Sequence, residues 1–163
     1  MQYVLKQKLV SLGNNFTIRT VDGSDAYLVK GEVASLGDKL SLQDLDGNEL
    51  LDIEQKVFNW VGTYELRRDG RLLAEVRRDF FSFWRRRFIV DAGGPGDLEA
   101  VGDILSFEYV VRRGDRKVAT LTRQWFRLSD TYWVQIDEEE KDPILVLGLA
   151  VVIEVVCRRR HNY

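Results

Sequence analysis

A tight turn followed by an alternating strand recurs along this chain about every 23 residues, the mark of an array of hairpins. Asp22-Gly23 leads into the run to Val29, Asp46-Gly47 into the run to Ile53, and Asp69-Gly70 into the run to Val76. After a double step, Gly114-Asp115 leads into the run to Leu121. The stretch from Tyr64 to Val90 matches that from Tyr109 to Ile136: Arg67/Arg68 align with Arg112/Arg113, Ala74 with Ala119, and Phe80-Phe81 with Trp125-Phe126. A hairpin unit copied in this way builds a closed or nearly closed antiparallel sheet. Asp-Gly and Gly-Asp pairs accept the positive φ values that primed two-residue turns demand, so all four are expected to be such turns.

Alternation predicts twelve strands, at about 3–10, 15–20, 26–33, 39–44, 50–57, 62–68, 72–79, 86–91, 98–102, 107–112, 117–123 and 131–136. Leu72, Ala74 and Val76 point one way while Glu75 and Arg77 point the other, so one face is packed and one is wet. Gly93-Gly94-Pro95-Gly96-Asp97 is a looser turn where the missing repeat falls. With 163 residues, 45% of them hydrophobic, the chain buries roughly two thirds of its unfolded surface and needs no covalent staples.

Past the acidic run Asp137-Glu138-Glu139-Glu140-Lys141 comes an apolar segment from Pro143 to Cys157. Asp142 before Pro143 is a helix start: the carboxylate caps, and proline stands where no donor is required. As a strand these residues would stretch roughly 50 Å; as a helix they span roughly 22 Å, about the height of a barrel. A helix apolar on every side must be sheathed, and 22 Å falls short of the roughly 30 Å of a bilayer core. A twelve-stranded barrel is too wide for its own side chains to fill, and a helix roughly 10 Å across fits its lumen. The expected fold is therefore mainly β, a twelve-stranded antiparallel closed barrel around a central hydrophobic C-terminal α-helix. One domain covers residues 1–163: strands about 3–136, helix about 143–157, and a short basic tail 158–163. Glu154, near the helix end, is expected at the barrel mouth, in water or against an arginine.

The functional chemistry is sparse. His161 is the only histidine and stands in the tail, which leaves no histidine-based triad or general base. One cysteine, Cys157, on a packed helix reads as a small apolar filler, and a single Cys and His hold no zinc. No phosphate-cradling Gly-rich loop precedes a helix. Asp44-Leu45-Asp46-Gly47-Asn48-Glu49 reads as a hairpin turn and not a calcium loop, and Asp137 to Asp142 as a solvated approach to a helix. No catalytic residue, metal site or cofactor is therefore assigned, and the chain is read as no enzyme. One cysteine and an alternating N-terminal strand without a signal-peptide core point to a reducing, cytoplasmic setting.

Charge carries the remaining signal. The net charge is −2, yet residues 20 to 55 hold nine acids against Lys30 and Lys39, and from Glu65 to Asp91 eight arginines face five acids. Cross-strand ladders account for much of this. The sharpest candidate is Phe80-Phe81-Ser82-Phe83-Trp84-Arg85-Arg86-Arg87, with Arg85, Arg86 and Arg87 as anion contacts and Trp84 as an interfacial anchor. Its counterparts, Val57-Phe58-Asn59-Trp60 and Trp125-Phe126-Arg127-Leu128, suit a second role as plugs of the barrel ends.

The opening Tyr3-Val4-Leu5-Lys6-Gln7-Lys8, the Asp-Gly hairpins, the Phe80-Phe81-Ser82-Phe83 knot and the terminal apolar helix together resemble the LURP-one-related family, nearly end to end. That family is similar to the tubby-like fold, a twelve-stranded barrel around a central helix that phospholipid scramblases are expected to share. The resemblance implies phosphoinositide or membrane-surface binding, regulation of transcription, or lipid scrambling through a palmitoylated cysteine cluster and a calcium site. This chain lacks the cysteine cluster, and the family offers no catalytic residues to carry over. The expectation is a non-catalytic binding or scaffold module, cytoplasmic or peripheral at an anionic lipid surface. The alternatives are a nucleic-acid or protein-binding regulatory module, or an enzyme on a small phosphorylated substrate.

Overall fold

The computed structural model describes residues 1–7, 15–32, 36–57, 62–79, 85–103, 108–126 and 129–159. Twelve strands run β1 (Gln2–Gln7), β2 (Phe16–Thr20), β3 (Asp25–Gly31), β4 (Lys39–Gln43), β5 (Glu49–Gln55), β6 (Tyr64–Arg68), β7 (Arg71–Asp79), β8 (Arg85–Asp91), β9 (Leu98–Asp103), β10 (Glu108–Arg113), β11 (Arg116–Phe126) and β12 (Ser129–Ile136). Each pairs antiparallel with its sequence neighbour, and β1 pairs with β12 from Gln2↔Gln135 to Lys6↔Thr131, which closes the barrel. Among the described residues one α-helix, α1 (Pro143–Arg159), follows, besides a 3-10 turn at Gly94–Gly96.

Two local expectations need correction. Only Asp69-Gly70 carries positive φ at both central residues (52° and 72°), as a type I′ turn requires, and at Gly114-Asp115 only the glycine does. The Asp22 and Asp46 turns are longer loops. Their pairing resumes at Arg19↔Asp25 and Gln43↔Glu49, because aspartate carboxylates bind the loop's own amides: Ser24 N–H donates to Asp22, and the Asp46 and Asn48 amides donate to Asp44. The Asn48 side-chain amide also binds Asp44, and these bonds hold its carboxyl below the usual range. The second correction lies at the β11–β12 hairpin, where Trp125 and Phe126 continue β11, pairing with Asp130 and Ser129. Aromatic residues favour extended backbone, so the ladder runs on through them. Of the other expected plugs, Val57 is exposed, and Phe58 to Trp60 and Phe80 to Phe83 lie outside the described residues.

The helix fills the lumen. Leu145, Val146, Leu147, Leu149, Ala150, Val151, Val152, Ile153, Val155 and Cys157 are all buried, so no side of the helix faces water. Inward residues of the strands, among them Leu42, Leu51, Ile53, Leu66, Val76, Val90, Val111 and Val134, complete the core. Asp142 caps the helix by accepting the Leu145 amide at 3.1 Å, and Arg68 grips the same carboxylate through both terminal nitrogens at 2.9 and 3.1 Å.

Gly148 sets how closely helix and wall approach, since a Cβ there would stand 2.4 Å from Leu51 Cδ2. Leu51 is fully buried and has nowhere to retreat. Gly148→Val is therefore expected to cost about 1–3 kcal/mol by overpacking, at the upper end of that range. A fall in the urea midpoint measures it; an unchanged midpoint would mean that the helix slides freely within the barrel.

Candidate functional site

The two ends of the barrel differ. Odd-numbered strands finish, and even-numbered strands begin, at the end where α1 terminates. Among the described residues seven polar or charged side chains are buried, and six of them (Thr17, Asp38, Thr63, Arg123, Thr131 and Glu154) lie toward that mouth. The seventh, Glu140, lies at the other end. Burying such groups costs free energy unless they are bonded, and of the six, Asp38 and Arg123, in phase with the inward residues of their strands, and Glu154, on the helix, bring charge into that mouth.

Strand alternation splits the Arg85-Arg86-Arg87 run. Phe88 and Val90 are buried against the core, and Arg86, in phase with them, turns inward. Its Nη1 donates to Cys157 Sγ at 3.2 Å, and its buried Nε has no hydrogen-bond partner among the described residues. Arg87 faces outward and is exposed, paired with Glu99 at 2.5 Å and Asp79 at 3.5 Å. Arg85 lies on β8, and Trp84 falls outside the described residues. The three arginines do not form one surface.

Cys157 is buried, but its pocket is polar. Tyr109 Oη lies 3.4 Å from the sulfur and beside the Arg86 guanidinium. Tyr109 is placed by Phe88, whose ring meets it edge-on at 5.9 Å, and by Gly102, where a Cβ would come within 2.3 Å of the tyrosine ring. Burial first, then the neighbouring Cys157 sulfur, raise the Tyr109 pKa well above the ordinary tyrosine value, so it stays a neutral phenol.

One turn earlier on the helix, Glu154 is buried and hydrogen-bonded to Arg158, whose guanidinium lies over the Phe16 ring at 4.8 Å. The mouth position and arginine partner expected for Glu154 are thus both found. Tyr132 stands beside it; burial and then the Glu154 carboxylate push its pKa upward. Arg123, 7% exposed, lies 5.5 Å over the Tyr132 ring, and across the mouth Tyr64 Oη donates to the buried Asp38 carboxylate at 2.7 Å.

Arg123 and the Asp38–Tyr64 pair were not anticipated. For Arg123 a signal existed, because it continues the inward phase of Ala119 and Leu121, where an arginine is out of pattern. Asp38 precedes its strand and left none.

Chemically, the mouth sets Arg86, Arg123 and Arg158 against Glu154 and Asp38 among tyrosines held neutral. Three guanidinium groups thus meet two carboxylates at that end of the barrel among the described residues. At the far end the acidic run is engaged by the barrel: Glu140 binds Arg113 at 2.7 Å, Arg116 lies 3.7 Å from both Asp137 and Glu139, and Asp137 accepts the Glu139 amide. No group of three or more His, Cys, Asp or Glu among the described residues could hold a metal ion, and no helix among them is long and apolar enough to cross a membrane.

A model of the LURP-one-related family matches residues 1–154 of the chain. The uncharacterised protein YxjI of Bacillus subtilis is 28% identical over 156 residues, covering 96% of this chain and 93% of that one. A crystal structure of an Arabidopsis thaliana protein superposes with a TM-score of 0.67 at 22% identity, covering 95% of this chain and 91% of that one, a likeness of fold.

Proposed function

The chain belongs to the LURP-one-related family, and from that premise we propose that it is a non-catalytic binding module whose helix-terminating mouth takes phosphate-bearing anions, in the first place the headgroups of anionic phospholipids. The observation that carries this reading is Arg86, turned into the mouth with a buried Nε that bonds to no described residue. An arginine so placed has a donor to offer to a planar or tetrahedral oxyanion. Arg87 stands next to it on β8, on the outer face and held by Glu99 and Asp79, and Arg123 adds positive charge within the mouth, where Arg158 is balanced by Glu154. A lipid surface is favoured over a free phosphate because Leu36 and Val57, 89% and 51% exposed, flank the same mouth, where apolar side chains reach the acyl boundary while arginines meet the headgroups. Trp84 as an interfacial anchor and Arg85 as a further anion contact belong to the proposal on their chemistry alone.

Vesicle flotation tests it. The protein is expected to float with vesicles containing phosphatidylserine or a phosphoinositide, to stay behind with pure phosphatidylcholine, and to lose binding when Arg85, Arg86 and Arg87 become alanine. A melting curve for that variant confirms that the barrel persists. Equal binding to neutral vesicles, or no loss in the folded triple variant, overturns the reading. Steeply salt-dependent binding to oligonucleotides, without vesicle binding, would replace it with a nucleic-acid role.

A further inference from the structure

On the outer wall of β3, β4 and β5, across the sheet from the lumen, lies a groove of about 460 Å³, within the range of small-molecule sites. Leu40, Leu42, Leu51 and Ile53 point into the core, so the alternate positions Lys39, Ser41, Gln43 and Asp52 face out and line the groove with Lys30 and Glu49.

Its hydrogen bonds run in one direction. Gln43 Nε2 donates to Ser41 Oγ at 3.0 Å, and the Ser41 hydroxyl donates to Glu49 Oε2 at 2.8 Å. This order fixes the Gln43 amide with its oxygen turned away from serine, and that Oε1 is buried and accepts nothing among the described residues. Lys39 is drawn aside to Glu32 at 3.2 Å. Asp52 accepts no hydrogen bond and joins no ion pair among the described residues, although Ser41 and Arg67 are its cross-strand neighbours. Against one further cation, Lys30, which joins no ion pair among the described residues, the groove still holds a surplus of acceptors: the Asp52 carboxylate, the second oxygen of Glu49 and the Gln43 carbonyl.

We propose that this groove is a binding site for a small organic cation with N–H donors, a protonated amine or guanidinium, whose charge is taken by Asp52 and Glu49 and one of whose hydrogens is taken by Gln43. A hard metal ion would demand several converging oxygen ligands, and no such cluster exists among the described residues. An ammonium or guanidinium needs only separated acceptors along a trough, and a small turn of the Gln43 amide toward an entering donor would satisfy its oxygen. The state of Asp52 agrees: burial first, then the carboxylates of Glu49 and Glu54, raise its pKa, and the nearby Lys39 and Arg67 do not offset them. A negative charge left uncompensated by its own protein is relieved by a cation from outside. The groove lies on the outside of the barrel, so this inference stands apart from the anion site at the mouth.

Titration of ¹⁵N-labelled protein with agmatine, followed by NMR, tests it, with choline as a cation lacking N–H donors and glutarate as an anion. Agmatine is expected to shift amides confined to residues 30–32, 39–43 and 49–53. Asp52→Asn removes no native bond, so the variant should melt at an equal or higher temperature and bind agmatine about tenfold more weakly, the loss of one charge-assisted hydrogen bond. Affinity should fall as pH drops through the raised Asp52 pKa, because only the ionised carboxylate attracts the cation. Shifts absent or lying elsewhere, unchanged affinity in folded Asp52→Asn, or choline or glutarate binding as tightly as agmatine would each overturn the proposal.

Discussion

Ending the chain before Pro143 is expected to abolish cooperative folding of the barrel. The helix places ten apolar residues at nearly complete burial in the lumen, Leu145 through Cys157. Fully burying a side chain such as valine, leucine or isoleucine is worth about 1.5–3 kcal/mol, so the gross burial supplied by the helix is at least as large as the roughly 5–15 kcal/mol of net stability that a domain possesses. Inward Leu51, Leu66, Val111 and Val134, which pack into one core with it, would line a wet channel too wide for them to fill. The truncated protein should show no sigmoidal thermal or urea transition by circular dichroism and should bind hydrophobic dye. A two-state transition near that of the full chain would mean that the wall holds itself together and that the helix is a passenger.

Replacing Arg113 by alanine should have the next largest effect. Its Nη2 meets Glu140 at 2.7 Å, and its Nη1 donates to the carbonyls of Gly96 (2.5 Å) and Pro95 (3.4 Å), so one guanidinium ties the turn before β9 to the segment that starts the helix. The Glu140 side chain is 1% exposed and also accepts the Asp142 amide at 3.0 Å. Removing the cation alone leaves a carboxylate with no water and no counter-charge, which costs about 3–5 kcal/mol. Removing the charge of Glu140 as well, in Arg113→Ala/Glu140→Gln, should recover much of that loss, because the penalty belongs to the stranded charge. Urea denaturation of the single and double variants measures the coupling; additive losses would mean that the two side chains do not interact. The exposed pair Arg19–Asp25 is the control and should give less than about 1 kcal/mol.

These expectations also separate structure from ligand binding. Arg113 lies at the end of the barrel where the helix begins, so its loss should weaken the fold without changing vesicle preference. Arg86 and Arg87 lie at the opposite end, where the change in vesicle binding is expected.

What could be read along the chain follows from the range of the forces involved. Strand positions were legible because alternation and turn chemistry act over two to five residues, and the helix because Asp142 and Pro143 start it and its apolar run fits no other element of that length. The acidic runs at 44–49 and 137–142 were likewise legible as a turn and a helix approach, since their carboxylates bind amides two to four residues away. Side-chain partners behaved differently. Arg86 finds Cys157, Tyr109 the same sulfur, Tyr64 finds Asp38, and Arg68 finds Asp142, over separations of 71, 48, 26 and 74 residues. Local propensity carries no information about such meetings. They depend on register, on closure of β1 against β12, and on how far the helix descends into the lumen. The sequence by itself determined that strands of this number would form and that a greasy helix would need their shelter. Only the tertiary structure decided that Arg86 faces the helix while Arg87 faces water, and that Glu49, Asp52 and Gln43 share one groove, because contacts of that kind exist only after the barrel has closed.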